Sequence, residues 1–588
     1  MMTANNLRNS YIKYMVSRGH KKIPSAPLVP ENNPSLLFVN AGMVPLVPYL
    51  LGEDHPMGKR LTSLQKCLRT EDIDGVGSPE RHTFFEMLGH WSLGDYFKKE
   101  AIDISYEYLV KHLGINPKNM HVTIFKGDKN SFYDIESEKA WLKVGIPKNR
   151  IYPLGASENW WIAGDAGPCG PDSEVWLDTR KDPCGKFCIP GCKCGKFFEI
   201  WNNVFMEFNK NSDGSLTLLN RKSVDVGVGV DRTTTILEGL NDNYKASHWS
   251  NVILQIEKIA KKSYDDKKYT RSMRIIADHA RAAAFCLSEK ILPSNVQQGY
   301  VVRRIIRRAM REGMRLDMGG GFMVKILEPI IFIYKDYYPQ LEENIEDIKR
   351  YLLEEEKKFS GCLKKGNAVF EKKSSEYKSK KLVSAKDAFD LYQSYGFPIE
   401  MTVEMAKELG ANVDIKGFNF MINEHKEKSR KASKGFFKGG LFGNTEIETK
   451  YHTATHILHQ ALREVLGPLV SQKGSNINSQ RLRFDFSWDK KLTPDQLSKI
   501  ESKVNDVINQ NLEVSFKTKT LSKAIKEGAL AFFKEKYGER VKVYSIGNYS
   551  KEVCGGPHVK NTGVLKRFKI VKEESVGAGL RRIKAILD

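Results

Sequence analysis

No block of the 588-residue sequence stays apolar for long. The run PIIFIY at 329–334 is typical, far below the ~18 residues that a membrane-spanning helix needs. The N-terminus, MMTANNLRNSYIKYM, lacks the continuous apolar core of a secretory signal. Nine cysteines in a chain of this length make no disulfide scaffold, and several of them cluster at metal-like spacing, so a reducing cytoplasm is the expected setting. There is no internal repeat and no long low-complexity tract. A G-x-x-x-x-G-K-[ST] loop is also missing, and GVGVDR at 227–232 lacks the third glycine of a dinucleotide fingerprint. A nucleotide would therefore have to be held by arginines and an aromatic rather than by a phosphate-cradling loop.

The chain carries a net charge of +22 with a pI of about 9.3. A solvated basic surface accounts for that without any partner, but an excess this large favours a polyanion, most often nucleic acid. Hydrophobic content of 41% and charged content of 28% are ordinary for a globular protein. The length is too great for one core. Residues 1–242 mix strand-like runs with Gly/Pro turns, residues 243–435 turn helical, and residues 436–588 return to mixed character after the Gly/aromatic stretch SKGFFKGGLFGNTEIETK. Three domains of an α+β protein are expected.

Three constellations carry chemistry. DPCGKFCIPGCKCGK holds Cys184, Cys188, Cys192 and Cys194. Four thiols so close together read as a closed tetrahedral zinc site; a loop of free thiols or a redox pair are the alternatives. HTATHILH sets His452 and His456 one helical turn apart, pointing the same way, and CGGPH further on offers Cys554 and His558. GYVVRRIIRRAMREGMR spaces Arg303, Arg304, Arg307, Arg308 and Arg311 as one basic stripe behind an apolar one. A solvated amphipathic face explains the stripe; its all-arginine make-up fits phosphate contact better.

LRT…RHTFFEMLGHWSLGDYF resembles motif 2 of the class II aminoacyl-tRNA synthetases, and GVGVDR resembles motif 3. The wording of NAGM, WIAGDAGPCGPDSEVWLD and EIWNNVFMEF is similar to that of the alanyl-tRNA synthetases, and the likeness runs over nearly the whole chain. It implies an antiparallel-sheet catalytic domain, a helical tRNA-reading domain and a zinc-containing α+β editing domain. It also implies ATP with Mg2+, L-alanine and tRNA(Ala) as substrates. Arg69 would hold the ATP α-phosphate; Arg232 would clamp the far phosphates and cover the adenine opposite Phe85. Asp225 would pair with the alanine ammonium, Trp161 and Val204 would wall the side-chain pocket, and Asn202 and Glu174 would add polar contacts. Asn295 and Glu400 would read a G·U pair of the acceptor stem. His452, His456, Cys554 and His558 would hold the editing zinc, with Gln472 in its pocket and His459 packed or solvated. Two departures stand out. The motif 2 loop TEDIDGVGSPE is short and acidic, leaving a basic contact absent or replaced, and Asp231 precedes the motif 3 arginine where glutamate is usual. Larger members carry a C-terminal oligomerisation domain that this sequence does not show, so a compact monomer is expected.

Overall fold

A computed structural model describes residues 2–31, 36–129, 131–434, 445–530, 540–577 and 580–587. They divide into two compact units: Met1–Ser379 with Leu391–Gly410, and Lys380–Asp390 with Ala411–Asp588. The boundary expected at 242/243 falls inside the first unit, and that at 435/436 lies outside the described residues. Among the described residues no helix is long and apolar enough to cross a membrane.

The first unit begins with helix α1 (Ala4–Ser17), capped by the Thr3 hydroxyl on the Asn6 amide. Its sheet is built from β1 (Arg60–Leu68), β2 (Phe84–Leu93), β3 (Met120–Phe125), β4 (Ile151–Leu154), β5 (Gly167–Asp178), β6 (Phe197–Lys210) and β7 (Leu216–Gly229), in the spatial order β1-β2-β7-β6-β5-β3-β4. All pairs in this path are antiparallel except β3 with β4; short segments Lys21–Lys22 and Trp160–Ile162 pair with β1 and β5.

Strand alternation divides the labour of this sheet. Leu88 of β2, Val224, Val226 and Val228 of β7, and Trp201 and Phe205 of β6 are buried in one core with Tyr11 and Tyr108. Residues of opposite parity (Phe85 and Met87 on β2; Asp225, Gly227 and Gly229 on β7) line a cleft on the other face. Arg8 of α1 fixes the core side: its guanidinium meets Glu86, both side chains 1% exposed. Removing one partner of such a buried pair costs about 3–5 kcal/mol.

The helices of this unit are α2 (Val230–Leu237), α3 (Lys267–Ser288), α4 (Gln297–Arg315), α5 (Ile345–Lys372) and α6 (Ile399–Glu408), with others between them. Helix α3 is buried from Ser272 to Ser288 apart from Arg274, so it forms the spine of the helical part.

The second unit centres on α7 (Glu446–Leu466), which starts with a capping box of Thr445 and Glu448. Strands β8 (Gln472–Asn478) and β9 (Arg481–Ser487) follow, then α8 (Pro494–Asn509), β10 (Val514–Thr520), β11 (Arg540–Ile546), β12 (Ser550–Val553), β13 (Phe568–Gly577) and β14 (Leu580–Leu587). One sheet runs β8-β9-β14-β13, the other β10-β11-β12, both antiparallel. Ala454, Ile457, Leu458 and Ala461 of α7 share a core with Leu482, Phe484, Phe486 and Ile583 of the first of these sheets.

Candidate active site and candidate metal centres

The cleft on the sheet of the first unit has a volume of about 360 Å3 and collects Arg69, Phe85, Trp161, Asn202, Val204, Asp225 and Arg232. These seven expected side chains come from β2, β6, β7, the short segment Trp160–Ile162, helix α2 (Arg232) and the connection after β1 (Arg69). Close approach keeps the floor flat: a Cβ on Gly227 would stand 3.1 Å from the Met87 sulfur, and one on Gly42 equally close to the Trp91 ring.

Asp225 is 7% exposed and receives a 2.6 Å hydrogen bond from the Trp91 indole. Burial, only partly offset by that bond, pushes its carboxyl up to about 7. A bound ammonium would restore the charged form. Arg69 donates through Nε to the Asn40 carbonyl at 3.0 Å and lies 4.9 Å over the Phe85 ring. Arg232 donates to Glu199 at 2.8 Å and covers Phe198 rather than Phe85. Arg69 and Arg232 thus each lie over a ring of their own, and of the two rings Phe85 lines the cleft.

Glu174 stands behind this lining. It accepts from Thr123, Trp176 and Asn202 at 3.3, 3.0 and 3.3 Å. Asn202 also donates to Asp172 at 3.0 Å. Burial first, then the nearby Glu199 and Asp172 charges, raise Glu174 well above the usual carboxylate range. This cluster is short of positive charge.

Glu199 escaped sequence reasoning for a geometric reason. Trp201 faces Val175 and Glu199 faces Trp176, so Ile200 is an extra residue in β6. The bulge turns Glu199 onto the face of Asn202 and Val204, which simple alternation would not do. Asp231 is a buried anchor, accepting from His248, Trp249 and Arg281 at 2.9, 2.9 and 2.8 Å. Its shorter reach suits a site already filled by three donors.

The arginine stripe requires correction. Arg308 is 3% exposed; it grips Glu404 with two donors and sends others to the carbonyls of Ile73 at 2.7 Å and Val76 at 3.2 Å. Arg311 is 4% exposed and pairs with Glu312 and Glu408. Neither side chain faces outward to a phosphate. Arg307 is bonded to Glu355 and covers Phe359, Arg304 is paired with Asp74, and Arg303 reaches Asn295. The planar fork that suits phosphate suits carboxylates and carbonyls as well, and here it is used inside the protein. The stripe holds the acidic loop 70–80: Arg304 takes Asp74, Arg308 takes two carbonyls, and Arg274 adds Gly77 at 3.0 Å. Arg308→Lys is therefore expected to lower ATP–pyrophosphate exchange, a reaction without tRNA, about tenfold, since several buried hydrogen bonds go. An Arg308 that served tRNA alone would leave exchange unchanged.

Asn295, exposed, and Glu400, half-buried, both meet side chains of α4: Asn295 accepts from Arg303, and Glu400 accepts from Tyr300 at 2.8 Å with Arg304 at 3.9 Å.

In the second unit the donor atoms of His452, His456, Cys554 and His558 lie within 4.8 Å of one another. The outer nitrogens settle the tautomers. His452 Nδ1 meets the Pro557 carbonyl at 3.0 Å, which can only accept. His456 Nδ1 meets the Glu552 carboxylate at 2.8 Å. The Thr453 hydroxyl bonds the Thr449 carbonyl, so it accepts from His558 Nδ1 at 3.2 Å. The three Nε2 lone pairs are left to converge with the Cys554 sulfur, and His558 Nε2 is buried without a hydrogen bond. Burial opposes a Cys554 thiolate, but hydrogen bonds and charge from the three histidines outweigh it and pull its pKa down to about 2, so without a cation a proton is shared among these donors, and a cation would take its place. Such a set fits a divalent cation. His459 is fully buried and shares Glu552 with His456, at 2.9 Å. Gln472 begins β8 opposite Phe486 and, among the described residues, shares no hydrogen bond with the four donors.

Cys184, Cys188, Cys192 and Cys194 fill the loop between β5 and β6, with all four sulfurs within 4.8 Å. Sulfur pairs 184–192 and 188–194 are 3.4 Å apart, with the thiols free. The Lys196 amide first, then neighbouring thiols, draw Cys194 down to about 6, while the bonds of Cys184 to the other three push it up to about 12. Four thiols packed together cannot all ionise unless a cation joins them.

The family model described as tRNA synthetases class II (A) matches residues 6–469, so sheet and cleft are those of a class II aminoacyl-tRNA synthetase. A second model, Threonyl and Alanyl tRNA synthetase second additional domain, matches residues 541–584. Alanine–tRNA ligases of Treponema denticola, Treponema pallidum and Borreliella burgdorferi are 49%, 46% and 47% identical to this chain. Each alignment covers 100% of the chain, and 99%, 98% and 100% of the respective relative. The chain belongs to the alanyl-tRNA synthetase family.

Proposed function

We infer that this chain activates alanine with ATP, transfers it to tRNA(Ala) and hydrolyses tRNA(Ala) that carries serine or glycine. The observation that carries the first half is the convergence of seven expected side chains on one cleft. Asp225 takes the alanine ammonium, and Trp161 and Val204 limit the side chain to a methyl group. The alanine carboxylate attacks the ATP α-phosphorus, pyrophosphate leaves, and alanyl-adenylate forms. Arg69 meets the charge that builds on the α-phosphate, and Arg232 holds the far phosphates and adenine. Mg2+ accompanies ATP and offsets the charge of the triphosphate. A terminal hydroxyl of the tRNA then attacks the alanyl carbonyl and AMP departs. Asn295 and Glu400 serve as the acceptor-stem readers, joined by Arg303 and Arg304.

Editing follows from the limits of size selection. A methyl-sized pocket rejects glycine or serine only ~10²-fold, so a second, hydrolytic site is needed. The matched second additional domain and the His452, His456, Cys554 and His558 donor set support that site. We assign zinc to it, and a second, structural zinc to the four cysteines. Bound zinc would supply an electropositive centre that orients the ester. Acylation of tRNA(Ala) with labelled alanine tests the reading: alanine-dependent charging supports it, and none would overturn it.

The raised Asp225 carboxyl gives the reaction a pH signature. Below about 7 the group is protonated and loses its attraction for ammonium. The KM for alanine in pyrophosphate exchange should rise about tenfold for each pH unit below that point. A KM for alanine that stays flat on acidification would contradict this role.

A further inference from the structure

The sheet β10-β11-β12 has two faces of different character. Val541, Val543 and Val553 pack inward with Ala524 and Ala529. The opposite face carries a registered row, Phe516 facing Tyr544 facing Glu552, and beside it Thr518 facing Lys542. Cys554 continues the parity of Glu552, and its amide donates to the Lys542 carbonyl at 3.1 Å. One face of this sheet thus holds a metal-type ligand, the carboxylate that orients another, and an aromatic pair.

The rings form a path outward from the donor cluster. Tyr544 lies 4.2 Å from the His558 ring between centroids, and Phe516 lies 5.2 Å from Tyr544. Phe516 ends the path 50% exposed, unusual for a large apolar side chain on a strand. The exposed Lys542 holds its ammonium 4.8 Å over part of that ring. A half-open aromatic face with a cation at its edge, leading to a hydrolytic centre, matches what an unpaired base and its phosphate require.

We propose that Phe516 and Tyr544 are a stacking platform for an unpaired base at the 3′ end of the mischarged tRNA, with Lys542 meeting the adjoining phosphate. This rests on the editing reading above. The platform binds the end that carries the ester; it moves no proton and breaks no bond. Stacking works on any base through its π-face, so the platform would hold the tRNA end without reading its sequence.

The test is deacylation of seryl-tRNA(Ala) by the full chain, with metal content and alanylation measured on the same preparations. Phe516→Ala is expected to raise KM about tenfold, as loss of one base–aromatic stack does, with kcat, bound metal and alanylation unchanged. Phe516→Trp should keep wild-type KM, and Phe516→Leu, apolar but without a π-face, should behave like alanine. Should Phe516→Ala lose metal, the leucine and tryptophan variants decide. A Phe516→Leu variant with wild-type KM overturns the platform even though editing stands, and would leave the exposed ring to a protein partner. A wild-type chain that does not deacylate seryl-tRNA(Ala) overturns the editing reading itself.

Discussion

Arg69→Ala is expected to lower alanine-dependent ATP–pyrophosphate exchange about a thousandfold, while hydrolysis of ready-made seryl-tRNA(Ala) is untouched. The size follows from preorganisation. The Nε bond to the Asn40 carbonyl and the Phe85 ring beneath the guanidinium fix its plane, and among the described residues no acceptor takes its terminal nitrogens. Those donors are therefore already aimed when charge builds on the α-phosphate, and no reorganisation is needed. Removing one preorganised donor of this kind costs ~10²–10³ in rate, and here two go together with a full charge. Arg69→Lys should recover less than about tenfold of the loss, because a point charge can neither donate as a fork nor keep the Asn40 bond and the ring contact at once. A lysine variant near wild-type rate would show that only net charge matters at this position.

Cys554→Ser is expected to remove one of two zinc ions per chain and to cut seryl-tRNA(Ala) hydrolysis about a hundredfold or more, with alanine activation retained. Serine keeps the size of the side chain but offers a poor ligand in place of a thiolate that the surrounding imidazoles favour strongly. Three Nε2 lone pairs would then converge on a weakened site. Glu552→Gln tests the support of the same centre: it keeps the shape but loses the charge that fixes His456 and His459. It should weaken metal binding about 10- to 100-fold without abolishing it. Metal analysis by mass spectrometry alongside deacylation reads both variants. Two zinc ions retained in Cys554→Ser would contradict the ligand assignment.

His452 and His456 were legible because helical spacing fixes their direction, and Cys554 and His558 because the family motif names them. Glu552 was not singled out, although strand parity sets it two residues before Cys554 on one face. The family motifs name Phe85 and Asp225, and plain alternation on β2 and β7 adds Met87, Gly227 and Gly229 to their face; the bulge at Ile200 hides Glu199 by reversing the parity of one end of β6. The arginines of α4 misled for the opposite reason. Their spacing makes one stripe, but spacing cannot say whether a guanidinium meets a phosphate outside or Glu404 and the loop carbonyls inside. The acidic motif 2 loop is the other half of that account: its missing lysines are matched by arginines arriving from one helix, α4, more than two hundred residues away.

Amino-acid-dependent ATP–pyrophosphate exchange, run in parallel with alanine, serine and glycine, bears most directly on the central claim. Fastest exchange with alanine, and slower but measurable exchange with serine and glycine, is the predicted result. It would establish the activation cleft and explain why a second, hydrolytic centre exists. Exchange with none of the three would contradict the activation chemistry assigned to Arg69, Asp225 and Arg232.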